Sequence, residues 1–531
     1  MDVLALILLV FQAAYVPTRA EVLRGEYGRY RANNDLLYYH LDVRIDPEKK
    51  LITGKNTIRF KMLKDDTRIQ LDLVADLHVD RILLGNTPLQ FERELNAVFV
   101  DFPETVRAGR TVSIDFYYSG TPRETGRFGG FTFKTDPSGH PWINSSCEGP
   151  GAMVWWPNKD QWQDEVESMD ISVSIPNGLV DVSNGKFVRK TDLGDGYTRW
   201  DWEIHYPINN YDVSVNIGNY THFTDRFQDM NLDFYVLPEN LEKARTQFSQ
   251  ARGMLEAFTH YFGEYPFKKD GYKLVEAPYS GMEHQTAVTY GNHFANGYLE
   301  RDWTGVGISP RFDFIIIHES AHEWFGNAVS AADASDMWIH EGWATYMECL
   351  YVEYTYGYDD ALKYVNAYKS KVQNRAPIIA ERGLHQEPPQ DMYFKGALFL
   401  NTLRNVVDDD KKWFKLIHDT YQHFKYRNIM TEDVVEFFNH ETGMNLTPIF
   451  DQYLRHTAIP VLELKFDDTA GTVSYRWNTD EKAFAMPVRV GNKGKWQIIQ
   501  PKAEWQTIPT SMKSSEVEVV TDLYYVNVVK M

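Results

Sequence analysis

Polar and apolar residues alternate over the first part of the chain. In Tyr39-His40-Leu41-Asp42-Val43-Arg44-Ile45 and Asp170-Ile171-Ser172-Val173-Ser174-Ile175 every second side chain falls on one face, the pattern of half-buried strands. Gly85-Asn86, Asn184-Gly185 and Gly194-Asp195-Gly196 punctuate the pattern as turns, so an antiparallel β domain is expected from about Tyr38 to Tyr220. The period changes near Leu237. Pro238 stands where a helix would begin, and Leu241, Ala244, Phe248, Ala251, Leu255 and Phe258 recur at helical spacing up to Gly263. Helical patterns then dominate to about His456. Beyond Pro460 alternation returns in Val461–Phe466, Val473–Trp477 and Trp496–Ile499, which predicts a small β sandwich. The expected fold is multidomain α+β. Its parts are a β domain (21–225), a mainly helical domain (226–456) and a β sandwich (457–531), with no large helical domain after it.

Composition narrows this picture. With 531 residues, 43% hydrophobic and 14% aromatic, the chain has apolar surface for several cores, which excludes a disordered or collagen-like chain. The net charge of −19 argues against a nucleic-acid partner, which needs clustered Lys and Arg. Two cysteines, Cys147 and Cys349, are too few for a disulfide framework or a cysteine-based zinc cluster. At the N-terminus, Val3–Phe11 is too short to span a bilayer but has the length of a signal-peptide core, and Thr18-Arg19-Ala20 offers small residues before a cleavage site. Residues 1–20 are therefore expected to direct export, giving a secreted or periplasmic protein without an integral membrane domain. A membrane-anchored form stays open, because Asp2 stands where a signal peptide carries a basic residue.

The candidate chemistry centres on His318-Glu319-Ser320-Ala321-His322. On a helix, residues i and i+4 share a face, so the two imidazoles can hold one Zn²⁺ with Glu319 beside them as general base. Catalytic zinc takes a third protein ligand. Eighteen residues after His322, Glu341 sits in Trp338-Ile339-His340-Glu341-Gly342-Trp343, where a carboxylate among aromatic residues needs a partner. Gly126-Arg127-Phe128-Gly129-Gly130 lacks the Lys-Ser/Thr of a phosphate loop and reads as a strand turn. His284, His293 and His340 read as packing residues, and Asp408–Lys412 as a turn between helices.

The zinc motif, its spacing to Glu341 and the flanking Trp324-Phe325-Gly326-Asn327 resemble the signature of the gluzincin aminopeptidases of the M1 type. The resemblance extends from about residue 38 to the end. It implies a thermolysin-like catalytic domain, one Zn²⁺ per chain held by His318, His322 and Glu341, and peptide substrates with a free N-terminal amine. No obligate protein partner is implied. The family's Gly-Ala-Met-Glu-Asn motif matches Ser280-Gly281-Met282-Glu283-His284, departing at Ser280, Gly281 and His284. By resemblance, Glu283 binds the substrate amine, Gly281 and Met282 lie along the peptide backbone, and Met282 lines the first side-chain pocket. Glu148, nine residues before Pro157, matches a second amine contact. Tyr393, 52 residues after Glu341 in Tyr393-Phe394-Lys395-Gly396, matches the tyrosine that hydrogen-bonds the oxyanion. Two further readings stay open: a related gluzincin hydrolase on a non-peptide substrate, and a non-catalytic scaffold of the same fold.

Overall fold

The computed structural model describes residues 15–492 and 495–531. The alternating segment Tyr39–Ile45 is the middle of a strand, Asn34–Asp46, with Leu41, Val43 and Ile45 fully inside. It pairs antiparallel with Leu51–Met62 and parallel with Ser168–Pro176 in an eight-stranded sheet. A smaller four-stranded sheet contains Gly130–Thr135, Pro141–Ser146, Val180–Ser183 and Val215–Gly218. The strand Pro141–Ser146 runs directly into Cys147-Glu148, so this sheet aims Glu148 at the neighbouring domain.

The change of sheet comes earlier than the expected boundary at 225/226, which falls inside the strand Thr221–Phe227. That strand pairs with Met230–Val236, which continues into Tyr272–Glu276, Val288–Tyr290 and, at the edge, Gly281–Met282. Alternation is identical in both sheets, so periodicity does not mark the crossing at Gly218–Thr221. The helix expected from Pro238 is a short 3₁₀ turn and two helices, Leu241–Gln247 and Gln250–Phe262, broken at Phe248-Ser249. It ends at Gly263, where φ is 97°, a conformation that favours glycine. After the helical region, two small sheets hold the C-terminal strands. Val461–Asp467, Thr472–Asn478, Gln506–Pro509 and Asn527–Lys530 form one; Val488–Asn492, Lys495–Ile499 and Glu518–Val519 form the other.

One apolar core runs through all three regions, with Trp155, Trp156, Trp324, Trp338, Trp343, Trp413 and Trp477 fully buried. Both cysteines are buried and free. The run Val3–Phe11 lies outside the described residues. The expected cut after Ala20 falls inside a helix, Arg19–Gly25, whose start Thr18 and Glu21 cap reciprocally. Among the described residues no helix is long and apolar enough to cross a membrane.

Candidate active site

The zinc motif lies on a wholly buried helix, Phe314–Ala321. Its start is fixed by Asp313, whose carboxylate accepts the amides of Ile315 (3.1 Å) and Ile316 (3.3 Å). The same carboxylate accepts from Tyr290, Gln247 and Asn292, which fixes the helix in rotation as well as position. Beyond His322 the chain leaves through a wider turn, Glu323–Asn327, with Gly326 at φ 134°. A Cβ on Gly326 would stand 3.0 Å from His322 Nδ1, so glycine lets the backbone close over that imidazole.

Each histidine has one nitrogen spoken for. His318 Nδ1 donates to Glu348 Oε1 (2.8 Å) and His322 Nδ1 to the carbonyl of Phe325 (3.1 Å). Both partners are acceptors, so the proton sits on Nδ1 and the Nε2 lone pairs face inward. The two Nε2 atoms lie 3.3 and 3.2 Å from one oxygen, Glu341 Oε2, which is buried and has no hydrogen-bond donor. Two imidazole nitrogens and a carboxylate oxygen converging in this way fit the donor set of a catalytic zinc. Glu283, Glu319 and His322 also lie within metal-holding distance of one another. That trio would have to share His322, and it lacks the outer hydrogen bond that His318 donates to Glu348.

Glu341 is carried by the helix Trp338–Tyr356 and Tyr393 by the helix Asp391–Val407. The two helices touch at Gly342 and Gly396: a Cβ on Gly396 would meet Gly342 Cα at 2.9 Å. This close approach lets the Tyr393 hydroxyl donate to Glu341 Oε1 at 2.7 Å. Burial opposes charge on His318, yet the neighbouring carboxylates of Glu341 and Glu348 favour it and hold its pKa well above the ordinary value. Burial also pushes Glu341 up, but the two histidines outweigh it and hold that carboxyl below the usual range. The pocket thus favours positive charge at the point where the three donors meet.

Glu319 lies against the edge strand. A Cβ on Gly281 would come within 2.7 Å of both Glu319 Oε1 and Ile315 Cγ2. Glycine, where the resembled family usually has alanine, therefore brings strand and carboxylate together. Burial pushes the Glu319 carboxyl up to about 7, a value suited to taking and returning a proton near neutrality. Glu283 is buried at the end of the edge strand; Tyr211 donates to its Oε1 (3.3 Å), and Asn327 Nδ2 donates to its backbone carbonyl (2.8 Å). Glu148 reaches in from the β domain with its Oε1 buried and without a donor. Burial, then the charges of Glu283 and Glu341, push its pKa well up.

The cavity these residues line, about 110 Å³, contains Glu148, Gly281, Met282, Glu283, His318, Glu319, Glu341 and Tyr393. All the sequence-predicted site residues are thus gathered on one cavity or, for His322, on its metal-facing wall. Sequence reasoning missed Glu348, although it follows Glu341 by two helical turns on the same face; Tyr364 and Tyr368 hold its second oxygen. It also missed Tyr211 and Asn327. The glycine-rich segment 126–130, expected to be a plain strand turn, contributes Arg127 and Phe128 to the cavity wall. His340 does pack: its ring stacks on Trp162 with centroids 5.3 Å apart, and its Nε2 accepts from the Ala331 amide.

Comparison with known proteins agrees with this architecture. Residues 36–211 match the peptidase M1 N-terminal domain and residues 246–453 the peptidase family M1 domain. The chain belongs to peptidase family M1. It is 21% identical to a leucyl aminopeptidase of Saccharolobus solfataricus, over 67% of this chain and 47% of that protein. To the mouse endoplasmic reticulum aminopeptidase 1 it is 26% identical, over 51% of this chain and 30% of the relative. The chain therefore spans less than half the length of these two relatives. In fold it is similar to the M1 zinc metallopeptidase of Deinococcus radiodurans, with a TM-score of 0.66 at 21% identity, covering 80% of this chain and 94% of that one.

Proposed function

We propose that this protein is a zinc-dependent aminopeptidase that removes single residues from the free N-terminus of peptides. The observation that carries the reading is the placement of two further buried carboxylates, Glu148 and Glu283, in the cavity where His318, His322 and Glu341 converge. Bound there, zinc would polarise the scissile carbonyl and acidify the attacking water. The substrate ammonium is held by Glu283 and Glu148, which are otherwise short of positive partners. Gly281 and Met282, at the open edge of their sheet, offer backbone groups to the peptide as an added strand. Glu319 takes the proton of the attacking water and delivers it to the leaving amine. The Tyr393 hydroxyl, which in this structure donates to Glu341, turns to stabilise the developing oxyanion.

Beside the ligands, the cavity wall is apolar: Met282, Tyr298, Trp303, Phe314, Ile315 and Phe394. This supports a preference for a large apolar first residue. Release of a leucyl reporter amide and of its N-acetylated twin, with and without a zinc chelator, tests the proposal. Chelator-sensitive cleavage of the free-amine substrate alone is the expected result; equal cleavage of both would remove the amine-anchor role. A glutamyl or arginyl amide turned over faster than the leucyl one would overturn the side-chain preference. Export is part of the proposal and rests on the composition of residues 3–20. N-terminal sequencing of the protein from its native source tests it, and a start at Met1 would overturn cleavage.

A further inference from the structure

The catalytic cavity is lined by five glutamates, Glu148, Glu283, Glu319, Glu341 and Glu348, and by one Lys or Arg, Arg127. The mechanism above accounts for all five glutamates and leaves Arg127 without a task. Arg127 is exposed at the tip of the loop joining the strands Thr111–Gly120 and Gly130–Thr135. Three glycines there have positive φ: Gly126 (73°), Gly129 (97°) and Gly130 (66°). The loop is tied by the Thr125 amide to the Gly129 carbonyl (2.9 Å) and by Phe128 stacked on Tyr279, ring centroids 5.1 Å apart. Tyr279 immediately precedes the edge segment Ser280–Met282, so the stack sets Arg127 beside the path of a bound peptide.

The direction of that path follows from the amine anchor. A peptide whose amine lies at Glu283 and which pairs with Gly281–Met282 runs toward Ser280, Tyr279 and Pro278. Those residues lead out of the catalytic cavity into a groove of about 1030 Å³. Arg127, Phe128, Ser280 and Tyr298 line both spaces and form the passage between them. The groove beyond carries Lys134 and Lys243 against Glu124 and Glu276. Glu276 is already engaged by the Leu237 amide and the Asn240 side chain, both at 2.7 Å. On a chain of net charge −19, this passage is a cationic point in an acidic setting.

We propose that Arg127 binds the C-terminal carboxylate of short peptide substrates, and that it thereby selects peptides of a few residues with a free C-terminus. The inference rests on the aminopeptidase reading and adds a second anchor to it. Glu148 and Glu283 take the positive end of the substrate, and the guanidinium takes the negative end, for which its planar fork suits a carboxylate bidentately. An extended peptide advances about 3.4 Å per residue, so only a peptide of a few residues can hold both of its ends at once.

The test compares Leu-Gly-Gly with its C-terminal amide, Leu-Gly-Gly-NH₂, on the full chain loaded with zinc, for the parent, Arg127→Ala and Arg127→Lys. The parent is expected to favour the free acid by about ten-fold or more in kcat/KM, mainly through KM, the size of one charge-assisted hydrogen bond. Arg127→Ala should bring the acid-to-amide ratio to about one, and Arg127→Lys should retain part of it. Because the ratio is internal to each variant, a partly folded preparation does not mimic the effect. A parent that cleaves both peptides equally, or an Arg127→Ala variant that keeps the parent ratio, overturns the proposal while leaving the aminopeptidase reading in place. Failure of the parent to cleave either peptide or a leucyl reporter amide overturns both.

Discussion

For the activity proposed, the side chains at the candidate metal site divide into those that touch the reaction and those that hold them. Glu319 belongs to the first group. Its replacement by Gln keeps the volume and leaves the three converging donors untouched, but removes the base. Glu319→Gln is expected to retain zinc at one equivalent and to lose turnover by at least about 10³-fold, measured as kcat/KM on a leucyl amide beside metal content. Glu348 belongs to the second group. It fixes the Nδ1 proton of His318 and is itself held by Tyr364 and Tyr368. Glu348→Gln is expected to weaken zinc about 10- to 100-fold in a chelator-competition titration, as outer-shell carboxylates commonly do. His318 and His322 were legible in the sequence because helical spacing converts numbering into geometry, and Glu341 because a carboxylate among aromatic residues needs a partner. Glu148 and Glu283 were not legible by spacing, since each sits beside a turn or at a sheet edge; resemblance supplied them. Arg127 was passed over because a loop has no periodicity, and its role depends on what the fold sets next to it.

At the scale of elements, the site rests on backbone approach. The helices Trp338–Tyr356 and Asp391–Val407 meet at Gly342 and Gly396, closer than any side chain allows. Gly396→Ala is expected to force them apart, costing about 1 to 3 kcal/mol of stability and lengthening the reach from Tyr393 to Glu341. Thermal melting and kcat together check this: a loss of stability with unchanged kcat would mean that the crossing does not position the tyrosine. The period-two and helical patterns located most elements, including the break into the C-terminal strands. They failed where one strand pattern serves two sheets, as at Thr221–Phe227, since hydrophobic alternation reports burial of a face and not which neighbour buries it.

Across the whole molecule, two domains supply one site, and their contact is polar as well as apolar. Asn184 donates to the carbonyl of Gln285, and the Gly185 amide to Thr286, across the interface, while Asn184 also holds the Asp212 carbonyl of its own domain. The β domain also carries a buried acid away from the metal, Asp181, which accepts from Trp202 and Ser183. Burial pushes its carboxyl from 3.8 up to about 8. Below about pH 4 the group is protonated in both folded and unfolded chains and contributes nothing to the pH dependence. Between about pH 4 and 8 the unfolded chain ionises while the folded one stays protonated, so stability falls as pH rises. Asp181→Asn removes that slope, since its amide oxygen still accepts both hydrogen bonds. The melting temperature of the parent should therefore decline more steeply from pH 5 to pH 8 than that of the variant; parallel profiles would show that Asp181 is ionised in the fold.

The wide turn after His322 ties two of the site's parts into one body. Asn327 holds the Glu283 carbonyl, and Glu323 holds the Thr286 amide at 2.8 Å, so the segment that carries Glu283 is bolted to the end of the helix that carries His318. The arrangement is a gauge whose stop and blade share one frame. For the activity proposed, every cut falls at the same distance from the stop, whatever the length of peptide behind it. A digest sampled over time should form a ladder, each rung lighter than the last by one residue, with no fragment that skips a rung.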